Sequence, residues 1–310
     1  MTKTRAAIVT FVAAIAVIVG VATPSPVAIA AKPVRTTTTT APSSTTTTAP
    51  SPTTTTTVPT GPTAAELERN GPLAFASITV ADAATPGFGA ATIYHPTTAG
   101  TFGGVAISPG FTETQTAISW LGPRLASHGF VVITFNTNSG FDNPAQRGTQ
   151  LLAALDYLTG SSAARDKVDA TRLGVMGHSM GGGGSIEASN ARRTLKASVP
   201  MTPWDSTKSW PGVQTPTLII GAQSDGTAPV AEHAIPLYDG LTGASERAYL
   251  ELANAQHSVT NSDNPLTSRF ALAWLKRFLD GNTTYNQFLC PAPATGGTTG
   301  ISQYRSTCPY

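Results

Sequence analysis

Between residues 103 and 279 the chain alternates short, unbroken apolar runs with longer amphipathic stretches. Residues 103–108, 130–135, 173–177, 197–201, 217–221 and 248–252 read as strands apolar on both faces. The stretches between them repeat apolar positions at helical spacing. Residues 144–158 place Leu151, Leu152, Leu155 and Leu158 on one side, with Pro144 at the start. Helices are also predicted over 118–127, from Met180 onward, after Pro229, and over 268–279. Strands buried on both faces and separated by helices predict an α/β fold with a mostly parallel central sheet and helices on both faces.

The first 63 residues do not share this pattern. Lys3 and Arg5 precede an apolar run from Ala6 to Ala22, and Ala28-Ile29-Ala30 follows. A short basic region, an apolar run and a small-x-small site predict a secretory signal peptide over 1–30. An uncleaved anchor is the alternative, but the run is short for a hydrocarbon core of about 30 Å. Residues 33–62 contain 15 Thr, 6 Pro and no Asp or Glu. Such a segment buries too little apolar surface to offset its ordering entropy, so 31–63 is read as a linker and 64–310 as the catalytic domain. The linker is a spacer or an O-glycosylated stalk associated with a cell wall.

Composition narrows the function. Lys plus Arg number 19 against 17 Asp plus Glu, so the net charge is only +2. No concentrated basic surface for nucleic acid is expected. Two cysteines are too few for a disulfide-built scaffold or a four-cysteine zinc site. In an exported chain the even pair, Cys290 and Cys308, is expected to bond.

The chemistry centres on Gly177-His178-Ser179-Met180-Gly181. G-x-S-x-G alone is a weak pattern, but here it joins a predicted strand to a predicted helix, the context of a nucleophile elbow. Glycines allow the sharp turn, and the helix start offers free N–H groups to developing negative charge. A serine needs a base, and in the elbow fold the triad runs Ser, acid, His along the chain. Asp225 and His257 each follow a predicted strand and fit that order. Asp205 is a rival acid one strand too early. His95 and His128 precede Ser179, His178 is expected to line the cleft with its ring turned from the Ser179 Oγ, and His233 is expected to be an exposed polar residue on a helix. The backbone N–H groups of Met180 and Phe111 are the expected oxyanion donors. Only about 15 residues separate the strand at 197–201 from the next, too few for a lid. Trp204, Trp210, Phe111 and Met180 are candidates for an apolar floor in an open cleft.

With these residues in place, the chain resembles bacterial cutinase-like polyester hydrolases, the group that includes poly(ethylene terephthalate) hydrolases. The carrying stretches are 107–112, 177–185, 202–204, 225–230, 273–278 and the tail around Cys290 and Cys308. The resemblance implies the α/β-hydrolase fold without a lid, a Ser179-His257-Asp225 triad, Phe111 and Met180 as oxyanion donors, and Trp204 as a substrate wall. It implies ester hydrolysis of polymeric or small substrates; no cofactor is expected, and the chain is read as a monomer. Three positions depart from the family: Phe111 for Tyr, Thr227 for Ile, and Ser258 for the Phe of thermophilic members. Smaller Thr227 and Ser258 imply a wider, more polar cleft lined also by His178. The carboxylates of the relatives' calcium site fall on Gln223, Ala253 and Ser302, so no metal is expected. A short-chain carboxylesterase or lipase, or a wall-tethered binding module with a disused site, are the alternatives.

Overall fold

The computed structural model describes residues 61–310. The expected signal peptide and all but the last three residues of the expected linker lie outside the described residues. Thr63, at the end of that linker, caps the first helix, α1 (Ala64–Leu67): its side chain accepts from the Glu66 N–H, and the Glu66 carboxylate accepts in return.

Among the described residues nine strands form one sheet: β1 (Phe75–Val80), β2 (Ala91–Pro96), β3 (Phe102–Ser108), β4 (Phe130–Phe135), β5 (Val168–His178), β6 (Ala197–Met201), β7 (Thr217–Ala222), β8 (Arg247–Leu252) and β9 (Ile301–Ser306). Their order is β1-β2-β4-β3-β5-β6-β7-β8-β9. The six central strands from β4 to β8 are parallel, and β1, β2 and β9 run antiparallel at the edges. Every residue of β4, β6 and β7 is buried, as the continuous apolar runs predicted.

Side chains alternate across the sheet, and each face has its own core. Val105, Ile107, Val132, Leu218 and Ile220 pack on one face against α2 (Leu121–Ser127) and α6 (Pro265–Phe278). Ala106, Val131, Ile133 and Val175 pack on the other against α3 (Pro144–Gly160) and α4 (Met180–Ala191). On that second face α5 (Ala234–Gly240) covers Ile219 and Tyr249. This is the α/β-hydrolase arrangement.

The helix predicted from Ile118 begins only at Leu121, after a 3₁₀ turn over Gln115–Ala117. A helix from Ile118 would carry Pro123 in its interior, where the ring clashes with the preceding turn; starting at Leu121 leaves Pro123 in the first turn. Cys290 and Cys308 are bonded, with Cα atoms 5.9 Å apart, and tie the tail after α6 to the end of β9. Among the described residues no helix is long and apolar enough to cross a membrane.

Candidate active site

The parallel strands deliver their carboxyl ends to one edge, and the site is assembled there. β5 ends at His178, and Ser179 follows in a left-handed conformation (φ 54°, ψ −119°) before α4 begins. A side chain tolerates that conformation only where its surroundings enforce it. The Ser179 N–H donates to the Met201 carbonyl, and the Ser179 carbonyl accepts from the N–H groups of Gly183 and Trp204. A Cβ on Gly177 would lie 2.2 Å from the Gly181 carbonyl oxygen, and one on Gly181 would lie 2.4 Å from that of Ser108. Both glycines are therefore required for the turn.

The loop after β8 brings His257 across. Its Nε2 lies 2.9 Å from the Ser179 Oγ, and its Nδ1 lies 2.7 Å from the Asp225 Oδ2. The other Asp225 oxygen accepts from the N–H groups of Thr227 and Ala228. Burial pushes the Asp225 carboxyl up, but the His257 and backbone hydrogen bonds outweigh it and hold the group below the ordinary carboxylate value. Asp205 does not reach His257. Its Oδ1 accepts from Thr207 N–H and its buried Oδ2 has no partner, so burial raises this carboxyl.

Met180 opens α4, so its N–H is one of the unpaired donors of a helix start. Phe111 stands on the loop after β3, 46% exposed, with its ring edge-on to Phe141 at 5.5 Å. This loop is held by contacts that sequence reasoning missed. The wholly buried Arg147, on α3, donates to the carbonyls of Pro109, Gly140 and Asp142. Thr112 N–H donates to Gly140, and Gly110 N–H donates to Glu113 Oε2. Pro144 and the leucine spacing located α3, but nothing local to Arg147 marks which carbonyls it will meet.

His178 lies at the bottom of the cleft, only 1% exposed. Its Nδ1 lies within 3.0 Å of the Thr202 and Thr260 hydroxyls, and its ring rests 4.8 Å from that of His257. Burial, with the neighbouring His257, pushes its pKa down to about 3, so it stays neutral. Two expectations are corrected. His233 is not an exposed helix residue: it precedes α5, half-buried, with its ring stacked on Trp204 and its Nδ1 2.8 Å from Lys208 Nζ. Trp210 is not part of an open floor, because it is buried against Ile186, Val213 and Leu237. Trp204 is half-buried beside the elbow, while Thr227 and Ser258 are exposed.

The cleft has a volume of about 320 Å³, and Glu113, Thr227, Gln256, His257 and Ser258 line it. A cavity of about 350 Å³ lies elsewhere, between Glu66, Arg69, His128 and Tyr285; no serine or cysteine lines it. The calcium positions of the resemblance do not suit a hard cation. Gln223 Oε1 accepts from Asn254 N–H, Ala253 offers a methyl group, and the Ser302 hydroxyl donates to Glu251.

Residues 50–309 match the family described as PET hydrolase-like. The chain is 54% identical over 252 residues to the bis(hydroxyethyl) terephthalate hydrolase of Streptomyces coelicolor, covering 80% of this chain and 81% of that protein. It is 49% identical to cutinase est1 of Thermobifida alba (80% of this chain, 85% of that protein) and 50% identical to cutinase 2 of Thermobifida cellulosilytica (80% and 96%). The six-strand parallel core, the turn at Ser179 and these likenesses over four-fifths of the chain agree: the protein belongs to the PET hydrolase-like family.

Proposed function

We propose that this protein is a secreted serine esterase that cleaves polyester and small ester substrates through an acyl-enzyme. Ser179 Oγ attacks the ester carbonyl while His257 Nε2 takes its proton. Asp225 holds the ring with Nδ1–H toward it and stabilises the imidazolium. The N–H groups of Phe111 and Met180 receive the oxyanion. His257 returns the proton to the leaving alcohol, and the acyl group remains on Ser179. Water, deprotonated by His257, then releases the acid and restores the serine. The observation that carries this reading is the continuous chain of hydrogen bonds from Ser179 through His257 to Asp225.

The open cleft and the relatives' names, cutinase and bis(hydroxyethyl) terephthalate hydrolase, support polymeric and aromatic diester substrates. Exposed, polar Thr227 and Ser258 favour a second reading, a broader carboxylesterase for short acyl chains. In either case the chain works outside the cell as a monomer, with the Thr/Pro-rich stretch as its spacer. A panel of short and long p-nitrophenyl esters, an aliphatic polyester film and an aromatic polyester film separates the two. Polymer cleavage by the native chain and none by Ser179→Ala is the expected outcome. Hydrolysis confined to short esters favours the carboxylesterase, and hydrolysis that survives Ser179→Ala overturns the mechanism.

A further inference from the structure

The loop beside Ser179 carries a carboxylate that the acyl-enzyme chemistry does not use. Glu113 Oε2 accepts from Gly110 N–H at 2.7 Å, and Oε1 accepts from Asn261 Nδ2 at 2.6 Å. His178 Nε2 lies 3.5 Å from the same Oε1, yet that ring stays neutral and supplies no positive charge. Two hydrogen bonds hold the carboxylate in place, so it cannot swing away from an incoming group. A quarter of its side chain stays open, on the cleft it lines with Thr227, Gln256, His257 and Ser258. No Lys or Arg lines that cleft. Arg147 is buried behind the loop, with its donors turned to Pro109, Gly140 and Asp142.

Hydrolysis of a neutral diester releases an alcohol and a half-ester whose new carboxyl is ionised at neutral pH. Diester and half-ester share one shape around the remaining ester bond and differ in charge. We propose that Glu113 makes the cleft selective for charge: it admits neutral esters, disfavours esters that carry a carboxylate, and so lets the half-ester leave instead of being cut again. This rests on the esterase reading. Like charges inside one partly exposed cleft lie within a Debye length of about 8–10 Å, so the effect is moderate and salt-dependent.

The test measures kcat/KM for bis(2-hydroxyethyl) terephthalate and for its monoacid, mono(2-hydroxyethyl) terephthalate, and reads their ratio. Glu113→Gln removes the charge and keeps an acceptor for Gly110. It also fits its neighbour, because the Asn261 Oδ1 is buried without a partner and can turn to receive the new amide. The preference for the diester is expected to fall about three- to tenfold in Glu113→Gln at low salt. In the native protein the same preference narrows as salt rises, and in Glu113→Gln it does not respond. Glu113→Ala gives the same fall in the ratio, even where a loosened Gly110 lowers both rates. A ratio equal in the native protein and both variants, or a native ratio indifferent to salt, overturns the inference. A native protein that leaves the neutral diester intact overturns the esterase reading instead.

Discussion

Two loops flank the candidate site, the turn at Ser179 and the segment from Pro109 to Glu113, and they are built by different means. The elbow is written in a short motif: within five consecutive residues no Cβ fits at Gly177 or Gly181, and Ser179 between them has a positive φ, its backbone held by Met201 and Trp204. The loop from Pro109 to Glu113 is held from outside. Arg147 reaches it from 38 residues away, Asn261 from 148, and Gly140 takes the N–H of Thr112. Thr112 also has a left-handed backbone, φ 59°, without a glycine to ease it. A short motif therefore marks the elbow, whereas the loop proposed to carry the oxyanion donor depends on three segments arriving together. Damage to the first should be steric and immediate; damage to the second should be electrostatic and graded.

The largest effect is expected at the elbow. Gly181→Ala forces a methyl group to within 2.4 Å of the Ser108 carbonyl oxygen and 2.5 Å of that of Pro109. Because the obstacles are backbone, the variant should lose about 3 kcal/mol or more of stability, read by urea unfolding, together with its activity. Near-native stability would show that the elbow is looser than its geometry.

Arg147→Met is expected to come next and to separate the two loops. It leaves the Pro109 and Asp142 carbonyls without their buried donor and the Gly140 carbonyl with only the Thr112 N–H, which should cost about 1–3 kcal/mol. The elbow keeps its own contacts, so substrate still binds while the Phe111 N–H proposed for the oxyanion loses its aim. A fall in kcat of about tenfold or more with a smaller change in KM is the expected split. A rise in KM alone would mean that Arg147 shapes the cleft and not the oxyanion loop.

The smallest effect lies behind the elbow, at Asp205. Its carboxyl is raised by burial, so the folded chain holds that proton more tightly than the unfolded chain does. Stability therefore declines as pH rises from the ordinary value of 3.8 through the raised folded value, and stays lower above it. Asp205→Asn removes that penalty and should raise the melting midpoint at neutral pH, with the gain vanishing below pH 3.8. Asp225 has the opposite sign: its folded value is lowered, so its contribution is present at neutral pH and lost on acidification. A neutral-pH midpoint lowered by Asp205→Asn would show that the Oδ2 is stabilised by a contact absent here.

The central strands were legible because burial on both faces leaves unbroken apolar runs, as in β4 and β6. The edge strands were not. β1 alternates exposed and half-buried residues, and β9 is half-buried throughout after Ile301, so neither carries a continuous apolar signal. The same contrast holds in the site. Ser179, Asp225 and His257 each follow a readable strand, and chain order paired them. His178 sits next to Ser179 in sequence, but its burial under His257 depends on Thr202 and Thr260, which only the fold brings together. Arg147 and Glu113 gave no signal either, because their partners are backbone groups, near and far, and the amide of Asn261, none of which a residue pattern marks.

The central claim is that Ser179, activated by His257 and oriented by Asp225, is the nucleophile. It is tested most directly by labelling the intact protein with a fluorophosphonate and locating the adduct by mass spectrometry. One adduct per chain, on Ser179, with complete loss of ester hydrolysis, is the predicted result. Labelling should nearly vanish in His257→Ala, slow strongly in Asp225→Ala and persist in Asp205→Ala. An adduct on another serine, or hydrolysis that continues once Ser179 is fully labelled, would contradict the account.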